Sequence, residues 1–288
     1  MSKSKGYIGS KVMTTMIVTS ALIIGSVLIA ISLSQPIDPE VEVLVKLPER
    51  RESAISGFVG ALNITGSTIL DVASVFNITG TPVDEGNMWM VKNGSKSIMT
   101  MRPRDLVFSD LWFKCNISNA RPRSDFPDPM VVLDDLLSKL IDKGVFPNYN
   151  RTLVSVNETI EPGSKMVCLL AIRISLSRDG IPMNAPVTLN FDHDGNAIDF
   201  RSSAFGFSNE GYVKVKDPQH ALQRVARSMA HDSWGGREHV SKLIVQNMTL
   251  RYTYPSSGWK VILEYLVVYD AIYTTGEQKH WHAHVIAT

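Results

Sequence analysis

Residues 128–144 read DPMVVLDDLLSKLIDKG, and this stretch decides the fold that the sequence predicts. Asp128 is a favourable N-cap, and Pro129 suits the first helical position because the first turn has no use for its missing N–H. Leucine and isoleucine then recur at helical spacing as far as Ile141. Gly144 follows as a residue that can end a helix in the left-handed conformation. The stretch predicts an amphipathic helix with a defined start and end.

The same Asp-Pro start recurs at Asp217-Pro218, and a third helix is predicted over Pro48–Asn63. Segments with strand character follow each helix, with hairpin signals at Asn93-Gly94 and Asp194-Gly195. Three cycles of one helix and several antiparallel strands predict the α+β class, in which a helix covers one face of a sheet. The predicted strands are Met88–Val91, Ser97–Met101, Leu106–Phe113, Thr152–Val156, Met166–Ser177, Val187–Phe191, Ala197–Ser202, Tyr212–Lys216, Leu243–Tyr254, Trp259–Tyr269 and His280–Ile286.

The cycles divide the chain into tandem helix-plus-antiparallel-sheet units over residues 47–127, 128–204 and 205–288. Residues 35–46 are predicted to form a stalk. The alternation from Val41 to Val45 also allows this stalk to join a sheet as an edge strand.

Residues 12–34 carry no charge, and every earlier charge is a lysine. About 20 apolar residues suffice to cross a bilayer, and the lysines place residues 1–11 in the cytoplasm. The sequence therefore predicts a transmembrane signal-anchor, a single-pass protein of the cell membrane and an extracytoplasmic bulk. A cleaved signal peptide is the alternative, although its apolar region is usually shorter.

Asparagine occurs seven times in an N-x-S/T context, more often than chance provides. This tripeptide accepts N-glycans on exported chains, so the excess indicates an extracellular glycoprotein. An archaeal cell surface is the favoured setting, and a eukaryotic type II membrane protein is the alternative. The alternative is that asparagine and threonine simply favour turns and strands. The predicted acceptors are Asn63, Asn77, Asn93, Asn116, Asn150, Asn157 and Asn247.

The chain has two cysteines and a net charge of +1. An exported location permits a disulfide between Cys115 and Cys168. Cys168 lies in the apolar run Met166–Ile172, however, where a free thiol would act as a small hydrophobic residue. No long acidic or basic block is present, which disfavours nucleic acid as a partner.

His280, His282 and His284 alternate along the last predicted strand, so their imidazoles share one face. Imidazole rows suit Zn²⁺ or Cu²⁺, which makes these histidines a candidate metal site with zinc as a candidate cofactor. The outer two Cα atoms are roughly 13 Å apart in a straight strand, so all three rings reach one ion only if the strand bends. The alternative is a solvated terminal strand.

Other polar clusters are interpreted as structural. The residues between His231 and His239 lack a nucleophile elbow and are predicted to form a Gly-rich loop. Asp192–Asn196 lacks the later glutamate of a calcium loop and is predicted to form a hairpin turn. A basic stretch is predicted to be a solvated loop, with an acidic partner as the alternative; its arginines are Arg102, Arg104, Arg121 and Arg123.

Two stretches in the C-terminal half carry a family resemblance. The first runs from Gly180-Ile181-Pro182-Met183 through Val187–Phe191 to Asp194–Ile198. The second runs from Val213–Pro218 through Ala221-Leu222 to paired strands that carry Tyr252, Tyr254 and Trp259. These stretches resemble the PepSY-type extracytoplasmic domains and the tandem, helix-anchored regulators of sensor kinases. The resemblance implies a domain without catalytic residues that binds or inhibits a neighbouring protein.

The sequence therefore predicts a membrane-anchored regulatory protein without enzymatic activity and with a protein partner in the envelope. A metal-dependent surface enzyme or metal-binding protein that uses the C-terminal histidines is one alternative. A structural component of the envelope is the other.

Overall fold

The computed structural model describes residues 38–49, 54–58, 65–101, 105–203, 211–232, 239–253 and 260–288. Fourteen strands lie in these ranges and form one connected sheet. Seven belong to the first half of the order: β1 Glu40–Val43, β2 Ala54–Phe58, β3 Val83–Asp84, β4 Met88–Asn93, β5 Lys96–Met101, β6 Asp105–Asp110 and β7 Asn150–Ile160. The others are β8 Val167–Arg178, β9 Ile181–Phe191, β10 Ala197–Ser202, β11 Gly211–Val213, β12 Val240–Thr253, β13 Lys260–Tyr273 and β14 Gln278–Ile286.

Three α-helices lie in the same ranges: α1 Gly66–Val75, α2 Pro129–Asp142 and α3 Pro218–Asp232. A short 3₁₀ helix spans Arg123–Asp125. Helix α1 contacts β4, β5 and α2, whereas α3 contacts β1, β12, β13 and β14. Apolar residues from all three helices and from most strands belong to one buried cluster, which is the core of the described structure.

Strand order along the sheet is β11-β2-β13-β12-β9-β10-β6-β5-β4-β3. Three branches extend it: β14 pairs with β13, β1 pairs with β12, and β7 pairs with β8, which pairs with β9. Most pairs are antiparallel, but β1 runs parallel to β12 with Glu40 opposite Lys242. A single parallel bridge between Met183 and Tyr252 joins β9 to β12.

The predicted fold class is wrong. The described part of the chain is 49% strand and 19% helix, and it forms a mixed sheet rather than a series of helix-plus-antiparallel-sheet units. Strand β6 pairs with β10, and β2 pairs with β13, so hydrogen bonds cross the predicted unit boundaries. Periodicity reports local structure only, which is why it cannot reveal pairing between distant strands. The three-unit division itself stays a prediction.

The membrane-spanning interpretation also lacks support. None of the helices in the described ranges is long and apolar enough to cross a bilayer. The predicted anchor at residues 12–34 lies outside these ranges. The membrane, transmembrane and single-pass descriptions are therefore unsupported, and the described structure is a β-rich domain.

The Asp-Pro helix starts are confirmed. The carboxylate of Asp128 accepts hydrogen bonds from the backbone N–H groups of Met130 and Val131, and Gly144 follows the helix with φ +69°. The carboxylate of Asp217 likewise accepts from the N–H of Gln219. Both caps satisfy donors that a helix N-terminus leaves free.

The helix predicted over Pro48–Asn63 is wrong. Residues 54–58 form β2, which pairs with β11 and β13. The helix of this region, α1, begins later, and the hydroxyl of its N-cap Thr65 accepts from the N–H of Thr68 at 3.4 Å. Two glycines, Gly57 and Gly60, weaken the predicted helix, and Ala54 becomes part of the buried core.

Candidate functional site

The three C-terminal histidines lie on the exposed face of β14. Tyr265 and Val285 line the space beneath α3, so alternation along the strands turns His280, His282 and His284 to the opposite face of the sheet. We call this the outer face. The three histidines are exposed, and each lies directly across from a residue of β13; these partners are Asp270, Val268 and Leu266 in that order.

Asp270 holds the first histidine. Its carboxylate is only 9% exposed, and its Oδ1 lies 2.8 Å from Nδ1 of His280. The side-chain amide of Gln246 donates to Oδ2 at 2.8 Å. The hydrogen bond from His280, followed by that from Gln246, lowers the pKa of Asp270 below its ordinary value. A carboxylate only accepts, so Nδ1 of His280 is the donor in this contact.

Glu264 holds the third histidine in the same manner. Its carboxylate is 6% exposed, and its Oε1 lies 3.0 Å from Nδ1 of His284. Arg251 donates to the same oxygen from Nε at 2.8 Å, and its Nη2 forms an ion pair with that oxygen at 2.7 Å. Nη2 of Arg251 also lies 3.1 Å from Nδ1 of His284. In one tautomer this nitrogen donates to Glu264, and in the other it accepts from Arg251.

The middle histidine contacts another imidazole rather than a carboxylate. The ring centroids of His282 and His284 are 5.5 Å apart, with the ring planes at 77°. Across the described ranges, no three or more His, Cys, Asp or Glu side chains are grouped so that they could hold one ion. The three-histidine metal site and its zinc stay predictions.

A groove beneath β14 is the second candidate site. This groove of about 300 Å³ separates α3 from the C-terminal end of β14. We call this space the basic groove, because one of its walls is charged. That wall consists of Lys216, His220, Arg224 and Arg227. Its apolar wall includes Val285 and Ile286.

Few acidic groups balance the basic groove. Residues 214–227 contain four lysines and arginines and one aspartate in a chain whose net charge is only +1. Arg227 lies 3.9 Å from Asp38, and Nζ of Lys216 donates to the Thr288 oxygen at 2.5 Å. Within the described part of the chain, the side chains of His220 and Arg224 form no ion pair or hydrogen bond.

Tyr265 closes the floor of this groove. Its hydroxyl donates to the backbone oxygen of Lys216 at 2.7 Å. Burial, with a smaller contribution from the nearby charge of Asp217, raises the pKa of Tyr265 to about 12. The tyrosine therefore stays neutral and fixes the backbone that carries Lys216.

The predicted sequons are distributed unevenly over the surface. Six of the seven lie in described ranges and have exposed asparagines, whereas Asn63 lies outside them. Asn150 and Asn157 are on β7, which has exposed apolar side chains such as Val154 and pairs only with β8 among the described strands. Asn247 is opposite Val268 on the outer face. No sequon of the sequence falls within α3 or β14.

The two cysteines form a disulfide in the structure. It joins Cys115, in the loop after β6, to Cys168 in β8, with Cα atoms 5.4 Å apart. The bond ties the exposed loop that carries Asn116 to a buried strand of the sheet.

The remaining candidate clusters have structural partners or lie outside the described ranges. The carboxylate of Asp192 accepts from the N–H groups of Asp194 and Asn196, as a hairpin turn requires. Arg121 donates to backbone oxygens of Ser118 and Ala120. Arg123 lies 3.4 Å from Glu158. Arg102, Arg104 and residues 233–238 lie outside the described ranges, as does the side chain of His231; the backbone N–H of His239 donates to Thr274.

Sequence reasoning missed the basic groove and the carboxylate partners of the histidines. The groove had a signal, the excess of positive charge in residues 214–227. The carboxylates also had one, because Glu264 and Asp270 interrupt an otherwise apolar strand at an even spacing and therefore share a face. No protein-family model matches this chain, and no curated protein matches it at a significant level. The PepSY resemblance consequently stays a prediction.

Proposed function

We propose that this chain is an exported binding protein without catalytic activity, and that its basic groove holds an acidic segment of a partner protein. The observation that carries this proposal is the excess of positive charge in the groove, of which the pairing of Arg227 with Asp38 offsets only part. Lys216, His220 and Arg224 line one wall, and the described carboxylate nearest to the groove's cations is 3.9 Å from Arg227.

Helix α3 adds to this charge. The N-terminus of a helix carries a partial positive charge that favours anions and disfavours cations. Lys216 and His220 nevertheless lie at this end, beside the capping Asp217. A carboxylate supplied by a partner would relieve the repulsion, which makes an acidic ligand the complementary one.

The apolar wall of the groove favours a peptide over a small free anion. Val285 and Ile286 both line the groove at the end of β14, and Ile286 is half exposed. Strand β14 has hydrogen-bonded neighbours on one side only in the described part of the structure. An extended segment could pair with this edge and direct alternate side chains into the groove.

Export is supported by the disulfide and by the exposed sequons. Disulfides persist in oxidising compartments, and N-glycans are added to exported chains. The absence of sequons from α3 and β14 would leave the groove free of glycans.

A random peptide library displayed on phage tests this proposal. The wild-type chain is expected to enrich peptides rich in Asp and Glu, and the best peptide is expected to bind more weakly as salt increases. The double variant Arg224→Glu/Arg227→Glu should lose the acidic enrichment and weaken the selected peptide by at least about tenfold.

The matched control is Lys92→Glu/Lys114→Glu, which makes the same change in net charge at exposed positions away from the groove. It should select and bind acidic peptides as the wild type does. Enrichment without acidic bias, or equal losses in the two double variants, would contradict the proposal.

A further inference from the structure

We propose that His282 and His284 form a binding site for a divalent metal ion that prefers imidazole ligands, Cu²⁺ or Zn²⁺, on the outer face of β14. The site is separate from the basic groove, which lies on the other side of the same strand. It needs two histidines of this chain, with water at the remaining positions.

The spacing of the two rings suits a shared ion. A tetrahedral zinc with Zn–N bonds near 2 Å places two imidazole centroids about 5 Å apart. The observed separation is 5.5 Å, with the planes close to perpendicular. Since both rings are exposed, an ion can approach from solvent without a change in the sheet.

The carboxylate beneath His284 provides the second feature of a metal site. Histidine ligands usually donate their other ring N–H to a carboxylate, which fixes the tautomer and raises the basicity of the ligating nitrogen. Glu264 plays this part at 3.0 Å, and Arg251 fixes Glu264 in turn. In the tautomer that donates Nδ1–H to Glu264, the lone pair of Nε2 is free, and Nε2 is the ligating atom of His284 in this proposal.

Glu264 is therefore a positioning residue that acts through His284. Asp270 orients His280, which lies directly across from it and four residues before His284 on the same face. No ring contact joins His280 to His282 in the described structure, whereas His282 and His284 are in contact. This difference assigns the site to the second pair.

Titration calorimetry on untagged, metal-free protein measures the site with CuCl₂ and ZnCl₂ as probes. We expect one ion per chain, with Cu²⁺ bound more tightly than Zn²⁺ as the Irving–Williams order requires. His282→Ala and His284→Ala should each weaken binding at least about tenfold, and Glu264→Gln should weaken it by about 10- to 100-fold.

Electron paramagnetic resonance of the Cu²⁺ form gives a readout that a merely structural role would not change. The wild type should show coupling to two imidazole nitrogens, and His284→Ala should show coupling to one. Thermal melting of each variant shows whether it is folded.

His220→Ala is the matched control, because it removes an exposed imidazole from the basic groove and should leave metal affinity unchanged. Binding that survives in both His282→Ala and His284→Ala, or that is lost equally in His220→Ala, would overturn the proposal. Failure of the wild type to bind either ion below about 100 μM would also overturn it, whatever the outcome of the peptide selection.

Discussion

Glu264 and Asp270 are acidic residues in an otherwise apolar strand, and both are largely covered by neighbouring side chains. Burial of a carboxylate is unfavourable unless donors replace the lost water. Each carboxylate has donors on both adjacent strands, β12 and β14. Glu264 lies between Arg251 and His284. Asp270 lies between Gln246 and His280. These two rows of side chains therefore connect three strands across the outer face.

The lowered pKa of Asp270 predicts a dependence of stability on pH. A carboxyl group whose pKa is lower in the folded than in the unfolded state stabilises the fold above its unfolded value of about 3.9, and this contribution is lost as the pH falls through the folded pKa. We therefore expect the difference in unfolding free energy between wild type and Asp270→Asn to be constant from about pH 7 to about pH 5 and to shrink below about pH 4.

Urea denaturation across this pH range measures the difference. In a His280→Ala background, which lacks the largest cause of the shift, the pH-dependent part should be smaller. A difference that stays constant down to about pH 2 would show that Asp270 has an ordinary pKa in the folded protein.

At the scale of elements, the start of α2 is the best-defined local feature. The carboxylate of Asp128 accepts from two backbone N–H groups, and Pro129 occupies the next position. Leu133, Leu137 and Leu140 then place the apolar face of the helix in the core.

Asp128→Ala is expected to lower the unfolding free energy by about 1 kcal/mol, because it leaves two N–H groups of the helix without their acceptor. Asp128→Ser keeps an acceptor and should cost only a few tenths of a kcal/mol. Chemical denaturation of the two variants beside the wild type checks this order. Equal losses would mean that the cap contributes through its charge or packing rather than through its hydrogen bonds.

Elements whose signals lie in neighbouring residues could be predicted from the sequence, whereas elements that depend on pairing with distant strands could not. The hairpin at Asn93-Gly94, the helix starts at Asp128 and Asp217, and the strand Ala197–Ser202 all agree with the structure. Strand β2 could not be recognised, because its pairing with β11 and β13 involves residues more than 150 positions later. The same limit applies to the site: alternation placed the histidines on one face, but their carboxylate partners come from another strand.

At the scale of the whole molecule, the disulfide constrains a long segment. Cys115 and Cys168 are 53 positions apart, and the segment between them includes α2 and β7. A covalent link across such a loop is worth about 4 kcal/mol if it acts by restricting the unfolded chain.

Cys115→Ala/Cys168→Ala is therefore expected to lower the unfolding free energy by up to about 4 kcal/mol. Denaturation of the wild type with and without a strong reductant measures the same contribution without any substitution. The control is the double variant under reductant, which should be unaffected. A wild type that is equally stable in both conditions would show that the bond forms without constraining the unfolded chain.

The parallel pairing of β1 with β12 has a consequence for the time at which this protein can fold. Glu40 lies opposite Lys242, and Val43 lies opposite Val245, so the first strand of the sheet has its described partner near the far end of the chain. During synthesis, residues 40–43 emerge long before that partner exists, and closure of so long a loop slows folding. The nascent chain must keep this strand unpaired until residue 245 has left the ribosome, so β1 joins the sheet only after β12 has been synthesised.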